Sequence, residues 1–268
     1  MEKKYYGIVI LSVQDLSIAF VQRDGSSLPV VQNVSFHMDH GETFALVGAS
    51  GSGKSLTALS LGRLLPSHAL CEGQIHFCGE EIFSIGEARM RAIRGSSIAH
   101  IFQEAMCCFN PLLTVGYQLR ESIRSHEVKC GRKEVHRKAV QILHRLDFSD
   151  AERILRCYPH ELSGGMLQRI AIAMAICNCP KLLIADEPTA SLDCTSQRTV
   201  LELLQDLQQS DGFSLLLITH NLHIALRLAD RVAVMCDGKL MEIGNGEQLL
   251  QCHDANQFIT SREGILHG

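Results

Sequence analysis

The sequence lacks any apolar run long enough to cross a lipid bilayer. A membrane-spanning helix needs about 20 apolar residues, whereas the longest apolar candidates here, IVILSV and LLLI, have the length of strands. The amino-terminal stretch MEKKYYGIVILSV is apolar only briefly, and no small-residue cleavage site follows it. We therefore predict that this stretch forms a first strand in a cytoplasmic protein that does not span a membrane by itself.

A strong excess of either charge is also missing. The 268 residues include 25 Lys and Arg and 29 Asp and Glu, which gives a net charge of −4. Proteins that bind nucleic acid without sequence preference normally present a basic face, so this balance argues against a nucleic-acid partner. The 46% apolar and 20% charged content is typical of a folded chain rather than a disordered one. We expect one globular unit.

The sequence has eleven cysteines but no C-x-x-C pair. Neither the adjacent Cys107 and Cys108 nor the pair Cys177 and Cys179 has the usual spacing of zinc or cluster ligands. The thirteen histidines include no H-E-x-x-H pattern. We interpret the cysteines as reduced thiols that pack in the fold, and we expect no structural metal.

Between residues 43 and 66 the apolar pattern changes from that of a strand to that of a helix. Residues 44–47 are a short apolar run, glycines and serines follow, and leucines then recur at helical spacing through Leu65 until Pro66. The intervening GASGSGKS, residues 48–55, matches G-x-x-x-x-G-K-[ST] in the strand–loop–helix context that this phosphate-binding motif requires. A flexible Gly/Ser loop is the alternative, and the joint presence of the motif and both flanking elements argues against it.

The phosphate-binding motif gives each part of this loop a chemical role. Glycines let the backbone approach phosphates, and the amides at the start of the helix supply positive potential. Lys54 would reach the β- and γ-phosphates, and the Ser55 hydroxyl would ligate Mg²⁺. The predicted nucleotide-binding residues of this segment are Gly48, Ser50, Gly51, Ser52, Gly53, Lys54, Ser55 and Leu56.

Two further apolar runs, KLLIAD at 181–186 and SLLLIT at 214–219, predict strands that are covered on both faces. Such uniform apolar character is typical of parallel strands, so we predict an α/β fold. Asp186 ends the first run, where its carboxylate can orient Mg²⁺, and Glu187 follows in a position to polarise the water that attacks the γ-phosphate. Two solvated carboxylates at a strand end are the alternative.

The stretch from about residue 104 to 162 is polar and helix-prone. It contains the periodic segment EVHRKAVQILHRL and few strand signals, so we predict a helical subdomain inserted into the α/β core. Nearer the end, RVAVMCDGKLMEIG predicts two strands around a turn at Asp237 and Gly238. No repeat of the whole unit is visible, which indicates a single nucleotide-binding domain.

Further motifs follow the phosphate-binding loop in a fixed order. LSGGMLQR occupies residues 162–169, and Gln103 in IFQE, SLD at 191–193 and His220 in LLITHNL accompany it. Together these motifs resemble those of ATP-binding-cassette (ABC) proteins over roughly residues 10–250. The resemblance implies a P-loop NTPase (RecA-like) ABC nucleotide-binding domain over residues 8–252, with an N-terminal antiparallel β-subdomain. It also implies an inserted helical subdomain at about 104–166 and a short tail at 253–268.

In this family two such domains associate head to tail, and ATP with Mg²⁺ binds between the phosphate-binding loop of one and the LSGG signature of the other. By resemblance, Ser163, Gly164 and Gly165 would grip the γ-phosphate of a nucleotide held by the partner. That role accounts for a second glycine-rich segment that contains no base, metal ligand or strong nucleophile. Met166 replaces the glutamine common after LSGG, which removes no phosphate ligand because the signature works mainly through its backbone and Ser163.

The resemblance assigns roles to four other residues. Gln103 resembles the residue that senses Mg²⁺ and the attacking water, and His220 resembles the switch histidine that contacts the γ-phosphate. Asp193 resembles the residue that couples the two sites of the dimer. Phe20 resembles the aromatic that stacks on adenine, with a core aromatic as the alternative. The implied catalytic residues are Glu187, His220 and Gln103, and the implied Mg²⁺ ligands are Ser55, Gln103 and Asp186.

The segments YPHELSGGMLQRIAIAMAI and FNPLLTVG, residues 158–176 and 109–116, are most similar to the peptide and nickel import branch of the family. This branch implies a peripheral subunit at the cytoplasmic face of a bacterial cell membrane. Its partners would be a second ATP-binding subunit, homologous or identical, two transmembrane permeases and, indirectly, an extracytoplasmic solute-binding protein.

Peptide importers of this branch commonly carry a longer carboxyl-terminal extension, so the short ending here favours nickel or a metal chelate over di- or oligopeptides as the cargo. Two other classes are the alternatives. A soluble ABC ATPase of DNA repair or translation would usually carry a long coiled-coil insertion or two cassettes, and neither is visible. Intact Lys54, Asp186, Glu187 and His220 argue against an inactive regulatory cassette.

Overall fold

The computed structural model describes residues 7–127 and 130–251, and the predicted tail at 253–268 lies outside these residues. The described residues up to Gly86 and from Ser214 onward form the first of two compact units, and Glu87–Phe213 form the second. None of the helices in the described ranges has the length and apolar character that a transmembrane span requires.

In chain order the elements are β1 (Val9–Val21), β2 (Ser27–Asp39), β3 (Thr43–Gly48), α1 (Lys54–Leu61), β4 (Ala69–Phe77), β5 (Glu80–Glu81), α2 (Glu87–Ile93), β6 (Ile98–Ile101), α3 (Val115–Arg124), α4 (Arg132–Arg145), α5 (Ala151–Arg156), α6 (Gly164–Ile176), β7 (Leu182–Asp186), α7 (Cys194–Asp211), β8 (Ser214–Thr219), α8 (Leu222–Leu228), β9 (Arg231–Cys236), β10 (Lys239–Gly244) and α9 (Gly246–Gln251).

The first unit contains an antiparallel sheet in the order β2-β1-β4-β5. Aliphatic and aromatic side chains fill its buried side, among them Val13, Ile18, Val34 and Ile75. The predicted first strand is present as β1, although it continues well beyond the apolar run that indicated it. This sheet confirms the N-terminal antiparallel β-subdomain.

The same unit contains β8, the parallel strand that the apolar run at 214–219 predicted, whereas the run at 181–186 forms β7 of the second unit. β3 pairs in parallel with both β8 and β9, and every residue of β3 and β8 is buried. β10 returns antiparallel to β9 after a turn in which Asp237 and Gly238 have φ angles of +46° and +79°. Uniform burial on both faces explains why these runs do not alternate with polar residues.

The helix after the phosphate-binding loop is shorter than predicted. α1 ends at Leu61, whereas the leucine pattern indicated helix through Leu65. The chain turns at Arg63, which has a φ of +50°, and the Leu64 N–H donates to the Leu59 carbonyl at 2.9 Å. Such a bond closes the last helical turn, so the helix stops before Pro66 is reached.

The second unit combines two parallel strands, β6 and β7, with the helices α2 to α7. α3 and α4 each bury residues at every fourth position, as expected for amphipathic helices. These buried residues are Val115, Leu119 and Ile123 on α3 and Val135, Ala139 and Leu143 on α4. The predicted helical region is confirmed, and its boundaries at 104 and 166 stay a prediction.

The packing interpretation of the cysteines holds for Cys177, which is buried, and is wrong for the cysteines at the surface. Aliphatic side chains already fill the core, and many of the thiols stand at turns or helix ends instead. The exposed cysteines are Cys78, Cys107, Cys108, Cys179 and Cys194.

His100 on β6 gives the fold a predicted pH dependence. Its Nε2 atom is buried and meets no hydrogen-bond partner among the described residues, and its ring stacks on Phe102 at 5.7 Å. Burial lowers the pKa of His100 from 6.5 to about 4. Between these values the unfolded chain binds a proton that the folded chain excludes, so acidification through this range destabilises the fold.

We expect the His100 contribution to the free energy of unfolding to fall by about 2 kcal/mol from pH 7 to pH 5. Urea unfolding of wild type and His100→Gln at both pH values measures it. The variant should show a drop smaller by that amount. An equal drop in both proteins would show that His100 is not the source.

Candidate nucleotide-binding site

The phosphate-binding loop lies in the first unit, between the end of β3 and the start of α1. Lys54 is the first residue of α1, and only 4% of it is exposed. Its Nζ donates hydrogen bonds to the carbonyl oxygens of Gly48 at 2.9 Å and Ala49 at 2.7 Å. A buried ammonium group requires such partners, and they hold the positive charge inside the loop.

The backbone of this loop has the conformation of an anion cradle. Gly51 and Gly53 have φ angles of +81° and +102°, which favour glycine. Gly53 precedes α1, and among the described residues no acidic side chain stands in the first turn of this helix. The start of this helix therefore offers amides and a positive dipole end, which favour an anion such as phosphate. Of the other predicted residues here, Ser50 and Ser55 are exposed, Leu56 is half-buried and Ser52 is buried.

The first unit also brings His220 to the edge that holds this loop. His220 is exposed and directly follows Thr219, the last residue of β8, which pairs with Val47 of β3. Because β3 and β8 are parallel, their carboxyl ends lie at the same edge. The Thr219 hydroxyl accepts a hydrogen bond from the Asn221 N–H at 3.0 Å, and Asn221 in turn caps α8. These bonds fix the backbone on either side of His220.

Phe20 lies near the end of β1 in the same unit. It is half-buried rather than fully enclosed, and its stacking on adenine stays a prediction. Its ring contacts that of His68, with centroids 5.2 Å apart. Sequence reasoning missed this histidine, because no local pattern links residue 20 to residue 68.

The second unit brings Gln103 and Asp186 to one edge. β6 and β7 are parallel, with Ile101 opposite Ala185. Gln103 comes two residues after Ile101, and Asp186 comes directly after Ala185, so both side chains stand at the carboxyl ends of these strands. Amide and carboxylate oxygens are the hard ligands that Mg²⁺ prefers, and the Ser55 hydroxyl of the first unit is of the same type. The chemistry of these three residues fits the metal.

Glu187 has an unusual backbone conformation. Its φ is +43°, in the left-handed region that side-chain-bearing residues rarely adopt. The carbonyl of Glu187 accepts a hydrogen bond from the Ala190 N–H at 3.1 Å, so a tight turn stabilises this conformation. Such conformations occur at functional positions and also at turns of this chain such as that at Asp237, so the catalytic role of Glu187 stays a prediction.

The signature segment forms the start of α6 in the second unit. Ser163 is the N-cap, and its hydroxyl accepts a hydrogen bond from the Met166 N–H at 3.3 Å. Ser163 and Gly164 are exposed, and Gly165 is half-buried. Among the described residues, no acidic side chain occupies the first turn of α6. This helix start therefore has the features that suit an anion, and its role in binding phosphate stays a prediction.

Asp193 lies beside the signature. It caps α7 by accepting bonds from the N–H groups of Thr195 and Ser196, and the Ser196 hydroxyl donates to its other oxygen at 2.7 Å. These Ser196 bonds lower the pKa of Asp193. A Cβ on Gly165 would lie 3.1 Å from the Ser196 Oγ. Asp193 thus holds the Ser196 side chain in place against Gly165 of the signature. The sequence did not reveal this contact.

Gly48 gives a stability prediction for the loop. A Cβ at this position would lie 2.2 Å from the carbonyl oxygen of Met235 on β9, a backbone atom that cannot rotate away. We expect Gly48→Ala to lower the free energy of unfolding by about 3 kcal/mol or more through overpacking. Gly86→Ala is the matched control, because a Cβ there meets nothing within 4 Å. Urea unfolding of both variants measures the difference, and equal stabilities would contradict the close approach.

Comparison with known proteins identifies the family of this chain. The model of the ABC transporter family matches residues 31–190. The chain is 48% identical to the peptidoglycan transport ATP-binding protein YejF of Agrobacterium fabrum, over 90% of this chain and 44% of that protein. It is 43% identical to the dipeptide transport ATP-binding protein DppD of Bacillus subtilis, over 90% and 72% respectively. The glutathione import ATP-binding protein GsiA of Escherichia coli is also 43% identical, over 90% and 39%.

The chain thus spans less than half the length of two of these three relatives. Among solved structures, it is similar to the dimeric post-hydrolysis structure of the ATP-binding cassette MJ0796 bound to ADP and Pi. The TM-score is 0.77 at 26% identity, and the match covers 88% of this chain and 98% of that one. On the family match, these relatives and this shared fold, the chain belongs to the ABC transporter family and carries its ATP-binding ATPase domain.

Proposed function

We propose that this protein is the ATP-binding and ATP-hydrolysing subunit of an ABC importer, with a nucleotide-binding domain over residues 8–252. The observation that carries the proposal is the buried Lys54 ammonium, held by two loop carbonyls at the start of a helix that presents its amides. ATP would place its β- and γ-phosphates against Lys54 and the loop from Gly48 to Leu56. Its adenine would stack on Phe20.

Hydrolysis needs a base for water and a stabiliser for the γ-phosphate. The Glu187 carboxylate accepts a proton as water attacks the γ-phosphorus, and the bond to the leaving oxygen of ADP breaks. His220 donates a hydrogen bond to a γ-phosphate oxygen, and Gln103 orients the attacking water. Ser55, Asp186 and Gln103 would hold Mg²⁺, which neutralises phosphate charge when bound.

The signature serves a second ATP-binding subunit. Ser163, Gly164 and Gly165 contain no general base, yet they lie at a helix start that suits an anion, and the first two are exposed. In a head-to-tail dimer they would bind the γ-phosphate held by the partner, and Asp193 would couple the two sites. The dimeric cassette with ADP and Pi supports this arrangement by similarity. Loss of the γ-phosphate would then weaken the interface and let the dimer open.

In the importer the subunit would bind two transmembrane permeases at the cytoplasmic face of the bacterial cell membrane, as a peripheral protein. Solute would reach these permeases from an extracytoplasmic binding protein. The selectivity for cargo would therefore lie outside this chain. No residue of the ATP site needs to contact the transported molecule.

A peptide-type solute is the cargo that the comparisons favour. The reported relatives are named for peptidoglycan, dipeptide and glutathione transport, and none of these three names mentions nickel. Nickel or a metal chelate is the second candidate, and it rests on the similarity of residues 158–176 and 109–116 to the shared peptide and nickel branch. The short carboxyl terminus carries no weight, because the chain spans only part of several relatives.

Uptake measurements in cells that lack this chain test the proposal. We expect loss of labelled dipeptide uptake, restored by wild type but not by Lys54→Ala, with nickel uptake unchanged. Loss of nickel uptake alone would identify nickel as the cargo and overturn the peptide assignment. Unchanged uptake of both solutes would contradict both cargo assignments and would favour an ABC ATPase that is not tied to their transport.

A further inference from the structure

A partly exposed apolar patch lies on the antiparallel sheet of the first unit. Phe20 on β1 is directly opposite Leu28 on β2 and Ala69 on β4. Opposed residues of antiparallel strands have their side chains on the same face. Leu28 is 51% exposed, and Phe20 is half-buried. These three residues and the adjoining His68 form what we term the Phe20 patch.

A bulge in β2 places this patch beside the phosphate-binding loop. β1 is regular between Ile18 and Phe20, so these two side chains share a face. Ile18 pairs with Val31 and Phe20 pairs with Leu28, so β2 contains one extra residue between the two pairs. Because of this bulge, Val31 and Leu28 lie on the same face of the sheet as Ile18 and Phe20. Val31 Cγ2 lies 3.0 Å from the position of a Cβ on Gly53. Phe20 is two residues farther along β1 than Ile18, the residue opposite Val31, and a two-residue step along a strand is about 7 Å. The patch therefore begins about 7 Å from the residue that borders the loop.

His68 holds one side of the patch. Its ring is tilted by 38° to that of Phe20, with 5.2 Å between the centroids. The backbone around it is fixed as well. The Val21 N–H donates to the His68 carbonyl at 3.2 Å, and the Ala69 N–H donates to the Pro66 carbonyl at 3.0 Å. A ring carried by a fixed backbone restricts the rotamers that Phe20 can adopt.

We propose that His68 and Leu28 complete, with Phe20, the surface that binds the nucleotide base. His68 is a positioning residue that holds the Phe20 ring, and Leu28 contacts the base directly. The inference rests on the proposed function, which puts the triphosphate on the neighbouring loop. An apolar aromatic surface recognises the π-face of a base rather than its hydrogen-bonding edge. The patch therefore distinguishes a purine triphosphate from a base-free triphosphate and separates ATP from GTP only weakly.

Calorimetric titration of the purified chain with ATP, GTP and tripolyphosphate, each with Mg²⁺, tests this inference. His68→Ala and Leu28→Ala should each weaken ATP and GTP binding about three- to tenfold. Tripolyphosphate binding should stay unchanged, because the loop is untouched. His68→Phe keeps an aromatic ring against Phe20 and should retain most of the affinity. His76→Ala is the matched control on β4, opposite Ser12 and away from the patch, and should behave as wild type.

Phe20→Ala separates this inference from the proposed function. If Phe20→Ala weakens ATP binding while His68→Ala and Leu28→Ala do not, the inference is overturned. The proposed stacking of the base on Phe20 is then still supported. If Phe20→Ala leaves ATP binding unchanged, or if wild type does not bind ATP, the proposed stacking of the base on Phe20 is contradicted. The inference about His68 and Leu28 is then contradicted as well. A parallel loss of tripolyphosphate binding in His68→Ala would also overturn it, because His68 would then support the loop rather than the base.

Discussion

Replacing Lys54 with alanine should weaken ATP binding by about 3 kcal/mol, roughly a hundredfold, because a charge-assisted bond to the phosphates is lost from a buried position. The buried ammonium is already held inside the loop by the Gly48 and Ala49 carbonyls. The position of the Lys54 charge is therefore fixed before the nucleotide binds. Steady ATP turnover should fall to background at the same time.

Equilibrium binding of a fluorescent ATP analogue to the purified chain measures the Lys54 effect. Lys239→Ala is a suitable control, because this lysine is exposed on β10 and outside the loop. It should bind as wild type does. Unchanged affinity in Lys54→Ala would remove the reason for placing the triphosphate on this loop, and a loss in the control would indicate a general charge effect instead.

Replacing Glu187 with glutamine should separate binding from chemistry. The amide keeps the shape of the side chain but cannot accept a proton, so hydrolysis should slow by about 10²- to 10⁴-fold. ATP affinity should be retained. Because the γ-phosphate would then persist between the two subunits, the variant should accumulate as a closed dimer in the presence of ATP.

Turnover and dimer formation are best followed in the assembled transporter, since it contains the second ATP-binding subunit that the proposal requires, whether homologous or identical. Glu202→Gln is the matched control, a carboxylate on α7 that bonds to Arg198 well away from the strand end. It should hydrolyse ATP normally. A wild-type rate in Glu187→Gln would mean that another group activates the water.

The phosphate-binding loop could be predicted from sequence because its motif is contiguous. The strand before it, the helix after it and the residues of the motif all fall within residues 43–61. β8 was equally predictable, since a strand that is buried on both faces has an unbroken run of apolar residues in its sequence. β6 was not predicted, because it has only four residues and His100 interrupts its apolar character.

Other features depend on contacts between distant segments. The predicted end of α1 was several residues too late, because the chain already turns at Gly62 and Arg63, before Pro66. His68 contacts Phe20 only through the pairing of β1 with β4, and Leu28 reaches the same face only through a bulge in β2. Ser196 packs near Gly165 because the starts of α6 and α7 lie side by side. No local pattern carries such information.

The account depends most on the claim that two subunits build each ATP site. A structure of the assembled transporter with Glu187→Gln and bound ATP tests it directly, through the distances from the Ser163 hydroxyl and the Gly165 amide to the nearest γ-phosphate. We predict hydrogen-bond distances to the nucleotide on the partner's phosphate-binding loop. A signature segment turned away from every triphosphate in that closed state would contradict the claim.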